Sequence, residues 1–121
     1  MTRAQRAAAD LVAAGWDPAD AAHALGRPRA GTDDEAVWLP RINAAAELFG
    51  LTAATMRSRL RPAAIVRVRH AIGAALLASG VSSTRAGWLL RRDHSAILYA
   101  RKEARPPDVA RVLALWRGDA T

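Results

Sequence analysis

Apolar residues recur at helical spacing along the whole chain, and nowhere do they alternate strictly with polar ones as a half-buried strand requires. Ala8, Leu11 and Val12 mark a helix over 2–14 that Gly15 closes, and Asp17-Pro18 supplies the N-cap and first residue of a second helix ending near Gly26. After the turn-rich stretch RPRAGT, Asp33 and Asp34 suit the start of a third helix, which Pro40 either kinks or restarts. Ile42, Ala46, Leu48 and Phe49 carry its apolar face to Gly50. Thr52 caps a short helix through about Arg59, Pro62 opens a long one to about Ser79, and Gly80 ends it. Ser83 or Thr84 caps a helix to Leu90, and Asp93 caps another to about Ala104. Pro106-Pro107 breaks that helix, and Asp108 caps the last. The pattern predicts an all-α protein.

Six residues, Leu11, Ala13, Gly15, Ala21, Leu25 and Arg27, recur 65 positions later as Leu76, Ala78, Gly80, Ala86, Leu90 and Arg92. This is helix-turn-helix grammar: a helix, a Gly turn, a small residue where two helices touch, then Leu. In the first copy the segment placed to meet a ligand, Arg29-Ala30-Gly31-Thr32-Asp33-Asp34-Glu35, ends acidic, which phosphate repels. Residues 1–37 therefore read as a helical hairpin for packing or partner binding, with DNA contact the alternative, and residues 38–121 as the unit that meets nucleic acid.

Charge sharpens that division. Residues 1–55 hold five arginines against seven acids, a net −2, whereas residues 56–121 hold thirteen basic groups against four acids, a net +9. Lys102 is the only lysine, as a GC-rich coding bias would produce, but such a bias does not place the acids in the first half. A basic half this concentrated is a polyanion footprint. The 121 residues are 51% hydrophobic but only 5% aromatic, so Ala, Leu, Val and Ile must build the core. There is no cysteine for a disulfide or Cys-ligated zinc, and the three histidines are too scattered for a metal site. No apolar run approaches a membrane span, and the expected location is cytoplasmic, with the nucleoid. The chain has no G-x-x-x-x-G-K-[ST] run, nucleophile–base arrangement or paired carboxylates, so no enzyme activity and no cofactor are expected.

Residues 80–102, GVSSTRAGWLLRRDHSAILYARK, carry the chemistry. Ala86 and Gly87 allow close helix approach, Arg91-Arg92 make a basic turn, and the following helix opens with Asp93, His94 and Ser95. Such an exposed N-terminus suits the major groove. Asp accepts from a cytosine amine, His donates to guanine, and Ser pairs with either. Upstream, Arg57, Arg59 and Arg61 form a basic loop, and Arg67 and Arg69 share the long helix after it. His23, among alanines, reads as structural, Trp38, Trp88 and Trp116 as core or interface, and Trp16 as a helix-packing plug.

From about Ile42 to Lys102 the chain resembles domain IV, the DNA-binding domain of the bacterial replication initiator DnaA. RRDHSAILYARK is similar to that family's G-R-D-H-[ST]-T-V-L-H-A-x-R-K signature, and AAAELFGLTAATMRSRLR...IVRVRHAIGAALL to its first helix, basic loop and long helix. The resemblance implies a helix-turn-helix bundle, similar also to the Trp repressor, with an N-terminal helical extension. It implies base contacts from Arg61 (in the minor groove), Arg69, His70, Asp93, His94, Ser95 and Ala96. Phosphate contacts are expected from Arg57, Arg59, Arg67, Ser83, Thr84, Arg91, Arg92 and Lys102. The chain departs from the family at Ala96, where a threonine hydroxyl is missing and a methyl kept, at His70, where glutamine stands, and in a turn one residue shorter. Stand-alone domains of this kind occur in activators of phage-derived genes, including gene transfer agents, so double-stranded DNA is the expected partner and transcription regulation the expected function. A second regulator subunit or RNA polymerase would dock on residues 1–37 or 108–117. A replication modulator occupying origin boxes and a helical protein-interaction adaptor are the rival readings.

Overall fold

The computed structural model describes residues 1–29 and 31–118. Ala30 of the acidic-ending segment and residues 119–121 of the expected second unit lie outside the described residues. Among the described residues there are eight helices and no strand. They are α1 (Arg3–Ala13), α2 (Pro18–Ala24), α3 (Thr32–Glu47), α4 (Ala53–Met56), α5 (Ala63–Ala78), α6 (Ser83–Leu90), α7 (His94–Glu103) and α8 (Pro106–Trp116). The protein is an all-α bundle, and no helix is long and apolar enough to cross a membrane.

The caps explain most boundaries. Asp17 accepts the Ala19 amide at 2.9 Å to open α2, with Pro18 in the first turn. Thr52 opens α4, whose helical turns stop at Met56, short of the expected Arg59. Two expected caps shift. Ser82, not Ser83 or Thr84, opens α6 by accepting the Arg85 amide at 3.2 Å, because the side chain that reaches an amide three residues on belongs to the residue before the helix. α8 begins at Pro106, where a missing N–H costs nothing, and this leaves Asp108 in its first turn rather than at the cap. α3 runs unbroken through Pro40, and so across the expected division between residues 37 and 38. Pro40 and Ala36 are both exposed, so water can satisfy the carbonyl that loses its partner.

α5 is the centre of the bundle. It buries Val68, Ala71, Ile72, Ala75 and Leu76 and packs along α7 and α8, with α3 behind. Arg67 of α5 grips the buried Asp108 of α8 through two guanidinium nitrogens at 2.7 and 2.9 Å. The N-terminal helices join the same core rather than forming one of their own. Trp16, 3% exposed, stands edge-on to Trp88 of α6 with ring centroids 4.9 Å apart, and Ala21 and Ala24 of α2 are buried in the same cluster. Asp34, at the start of α3, forms a two-point ion pair with Arg85 of α6, whose Nε lies 2.9 Å from the carboxylate.

Candidate nucleic-acid interface

α6 and α7 are joined by Arg91, Arg92 and Asp93. The junction is tight because Gly87 has no side chain: a Cβ there would lie 2.5 Å from the Arg92 carbonyl oxygen and 3.4 Å from the His94 nitrogen. The Arg92 amide closes the turn on the Gly87 carbonyl at 2.8 Å. Arg91 adopts a left-handed backbone (φ 55°), an unfavourable state for a residue with a Cβ. Its guanidinium is held on the Ala14 carbonyl, at the C-terminal end of α1, where the helix dipole favours a cation. Arg92 is buried and donates to the carbonyls of Arg91, at 2.9 Å, and of Ser58; burial pushes its pKa down.

Asp93 opens α7 and is only 5% exposed. Its carboxylate accepts the Ser95 hydroxyl at 2.6 Å and lies 3.3 Å from His94 Nδ1, and its own amide donates to Asp20 of α2 at 3.2 Å. Burial alone would raise its pKa, but the hydrogen bonds from Ser95 and His94 outweigh it and hold the carboxyl below its ordinary value. Asp93 therefore orients His94 and Ser95, while its own access to a base is closed in this arrangement. Ser95 is exposed, and His94 is half-buried at the rim.

Arg69, expected at a base, is turned inward. It is 6% exposed and donates to the carbonyls of Met56 at 2.9 Å, Ser58 at 2.9 Å and Leu60 at 2.6 Å, which gathers the α4–α5 loop around one guanidinium. Burial, reinforced by Arg92 and Arg61, lowers its pKa to about 10. Arg57 and Arg67, expected at phosphates, are also drawn into the fold. Arg57 is half-buried, and its Nε has no hydrogen-bond partner among the described residues. Arg67 is committed to Asp108. Ser83 and Thr84 are half-buried in the first turn of α6. Arg59, Arg61 and Lys102 are exposed, although Arg61 lies 3.9 Å from the Asp17 carboxylate.

A cleft of about 330 Å³ between α5 and α7 collects expected contact residues from three separate segments: Arg61 from the loop, Arg69 and His70 from α5, and Ala96 from α7. His70 stands edge-on to Tyr99, with centroids 5.8 Å apart, and burial lowers its pKa, which favours the neutral imidazole. Tyr99 is 56% exposed and Leu98 40% exposed, beside the expected contact residues. Neither anchors α7 from behind, because Ile97 and Ala100 supply its buried face at helical spacing. His23, read as structural, is exposed and lies 3.7 Å from Asp93. No family model matches the chain, and no curated protein or solved structure matches it either.

Proposed function

We propose that the protein binds double-stranded DNA sequence-specifically, with α6 and α7 acting as a helix-turn-helix. α7 enters the major groove by its N-terminal end, and Arg61 reaches the neighbouring minor groove. The supporting observation is convergence: Arg61, His70 and Ala96, distant in sequence, line one cleft, and His94 and Ser95 from the start of the same α7 line a second hollow. A base edge needs a polar side chain held in a fixed rotamer, and Asp93 provides this by gripping both neighbours. Arg59 and Lys102 stand exposed to take phosphates, and Arg69 positions the loop that presents Arg59 and Arg61. By resemblance to stand-alone domain IV-like activators, the output is transcription regulation, an activator of phage-derived genes.

The test is a binding selection from random duplexes with the wild type and His94→Ala. His94→Ala should lose information at one or two positions and cost about 1–3 kcal/mol on the selected site, with little change on random DNA. An unchanged motif would place the reading surface elsewhere. Genome-wide occupancy separates the regulatory readings, since peaks at promoters support an activator and peaks at the origin a replication modulator.

A further inference from the structure

The N-terminal hairpin is fixed beside the end of α7, and its chemistry there is not acidic. Trp16 locks it against Trp88, Ala21 and Ala24 are buried, and Asp20 holds the amide of Asp93. Two of its three acids meet helix N-termini, Asp17 accepting the Ala19 amide of α2 and Asp20 sitting at the start of α7, while Asp10 is exposed on α1. The C-terminal end of α2 presents the opposite charge. His23, with 69% of its side chain exposed, and the exposed Arg27 border a hollow of about 480 Å³ whose other wall is His94 and Ser95. Among the described residues the one acid lining it is Asp93, 5% exposed and already engaged by Ser95, by His94 and, at 3.7 Å, by His23 itself. Arg27 has no ion-pair partner among the described residues.

Any duplex that meets His94 and Ser95 end-on must also pass this edge, because releasing α2 would expose the buried Trp16. We propose that α2 is a second DNA-contacting element, in which His23 and Arg27 hold the phosphates next to the bases that His94 and Ser95 face. The inference rests on the DNA-binding reading above and enlarges its surface beyond the segment that resembles domain IV. It takes up the alternative sequence-based reading of residues 1–37, DNA contact, beside the packing or partner role.

Arg27→Ala and His23→Gln change exposed side chains, so both variants should fold. Each should weaken the selected duplex and random duplex alike, by about three- to tenfold, and make the log–log salt slope shallower by about 0.9 for each phosphate no longer neutralised. Hydroxyl-radical footprints should lose protection on one flank, while the selected motif stays the same. Arg59→Ala serves as the control for the basic loop. If Arg27→Ala leaves slope and footprint unchanged while Arg59→Ala weakens binding, α2 is not at the DNA and the DNA-binding reading survives. Tighter binding by either α2 variant would also overturn the proposal, since it would make the hairpin a screen. A wild type with no affinity for duplex DNA removes both proposals.

Discussion

Arg69→Ala separates two roles that the sequence could not distinguish, a base contact and a loop fastener. In the fold, Arg69 donates to three carbonyls of residues 56–60 at 2.6–2.9 Å. A hydrogen bond from a charged donor contributes about 1.5–3 kcal/mol, but three bonds from one side chain are not additive, and burying a guanidinium offsets part of the gain. Truncation strands the carbonyls together, so a net loss of about 2–4 kcal/mol is expected. With a pKa of about 10 the group is cationic throughout the neutral range, so the loss should be the same at pH 6 and pH 8. Urea unfolding followed by circular dichroism measures it as a lowered midpoint with an unchanged slope. Arg69→Lys keeps the charge without the planar fork and should recover less than half of the loss. In the duplex selection, preference should blur at the position assigned to Arg61, whose loop has been released, rather than vanish at a new one. An unmoved urea midpoint combined with the disappearance of a base preference would refute the fastener and return Arg69 to the DNA.

The Arg67–Asp108 clamp makes an acid-side expectation: hydrogen bonding from Arg67, ahead of the cost of burial, holds the Asp108 carboxyl below its ordinary value of 3.8. A depressed carboxylate contributes stability above its unfolded pKa and loses it as pH falls through the folded one. The wild type should therefore lose more stability than Asp108→Asn below about pH 4, and equal losses would count against the clamp. Gly87→Ala should lower Tm and weaken DNA binding, because its Cβ would lie 2.5 Å from a backbone oxygen and the α6–α7 turn would have to open. The crowding costs about 1–3 kcal/mol against a gain of about 1 kcal/mol in helix propensity; a raised Tm would show that the junction has slack.

Features set by a few neighbouring residues were legible in the sequence. Gly15 closes α1 with φ +101°, Asp17-Pro18 opens α2, and Asp93 opens α7, because each cap needs only side chains within three residues of its helix end. Features set by partners far along the chain were not. Asp108 looks like a cap until α5 is laid beside α8 and Arg67 claims it across 41 residues. Pro40 looks like a break because the packing that keeps α3 helical, Ile42, Ala45 and Ala46 in the core, lies on the opposite side from its missing bond. Arg69 is an intermediate case. It shares helical spacing with Ile65, Ile72 and Leu76, so its place on the apolar face of α5 was readable, and only the carbonyls awaiting it were hidden.

Charge segregation along the chain takes on a second meaning once the fold is known. Asp34 meets Arg85, Asp17 approaches Arg61, Asp20 holds the α7 N-terminus, and the Ala14 carbonyl takes Arg91. The acidic half is thus the electrostatic counterpart against which part of the basic half is assembled. Among the basic groups after residue 55, Arg67, Arg69, Arg85, Arg91, Arg92 and Arg111 all donate hydrogen bonds within the protein. Cationic groups committed in this way release few counterions from DNA, because they are already neutralised or buried. The surface left for a polyanion is narrower than composition implies. It includes the exposed Arg59, Arg61 and Lys102, and on the α2 proposal it gains from the first half of the chain the edge formed by His23 and Arg27. If the protein binds DNA as proposed, a narrow cationic rim around the hydrogen-bonded start of α7 favours discrimination between sequences over general affinity, because phosphate contacts add uniformly to every sequence while base contacts do not.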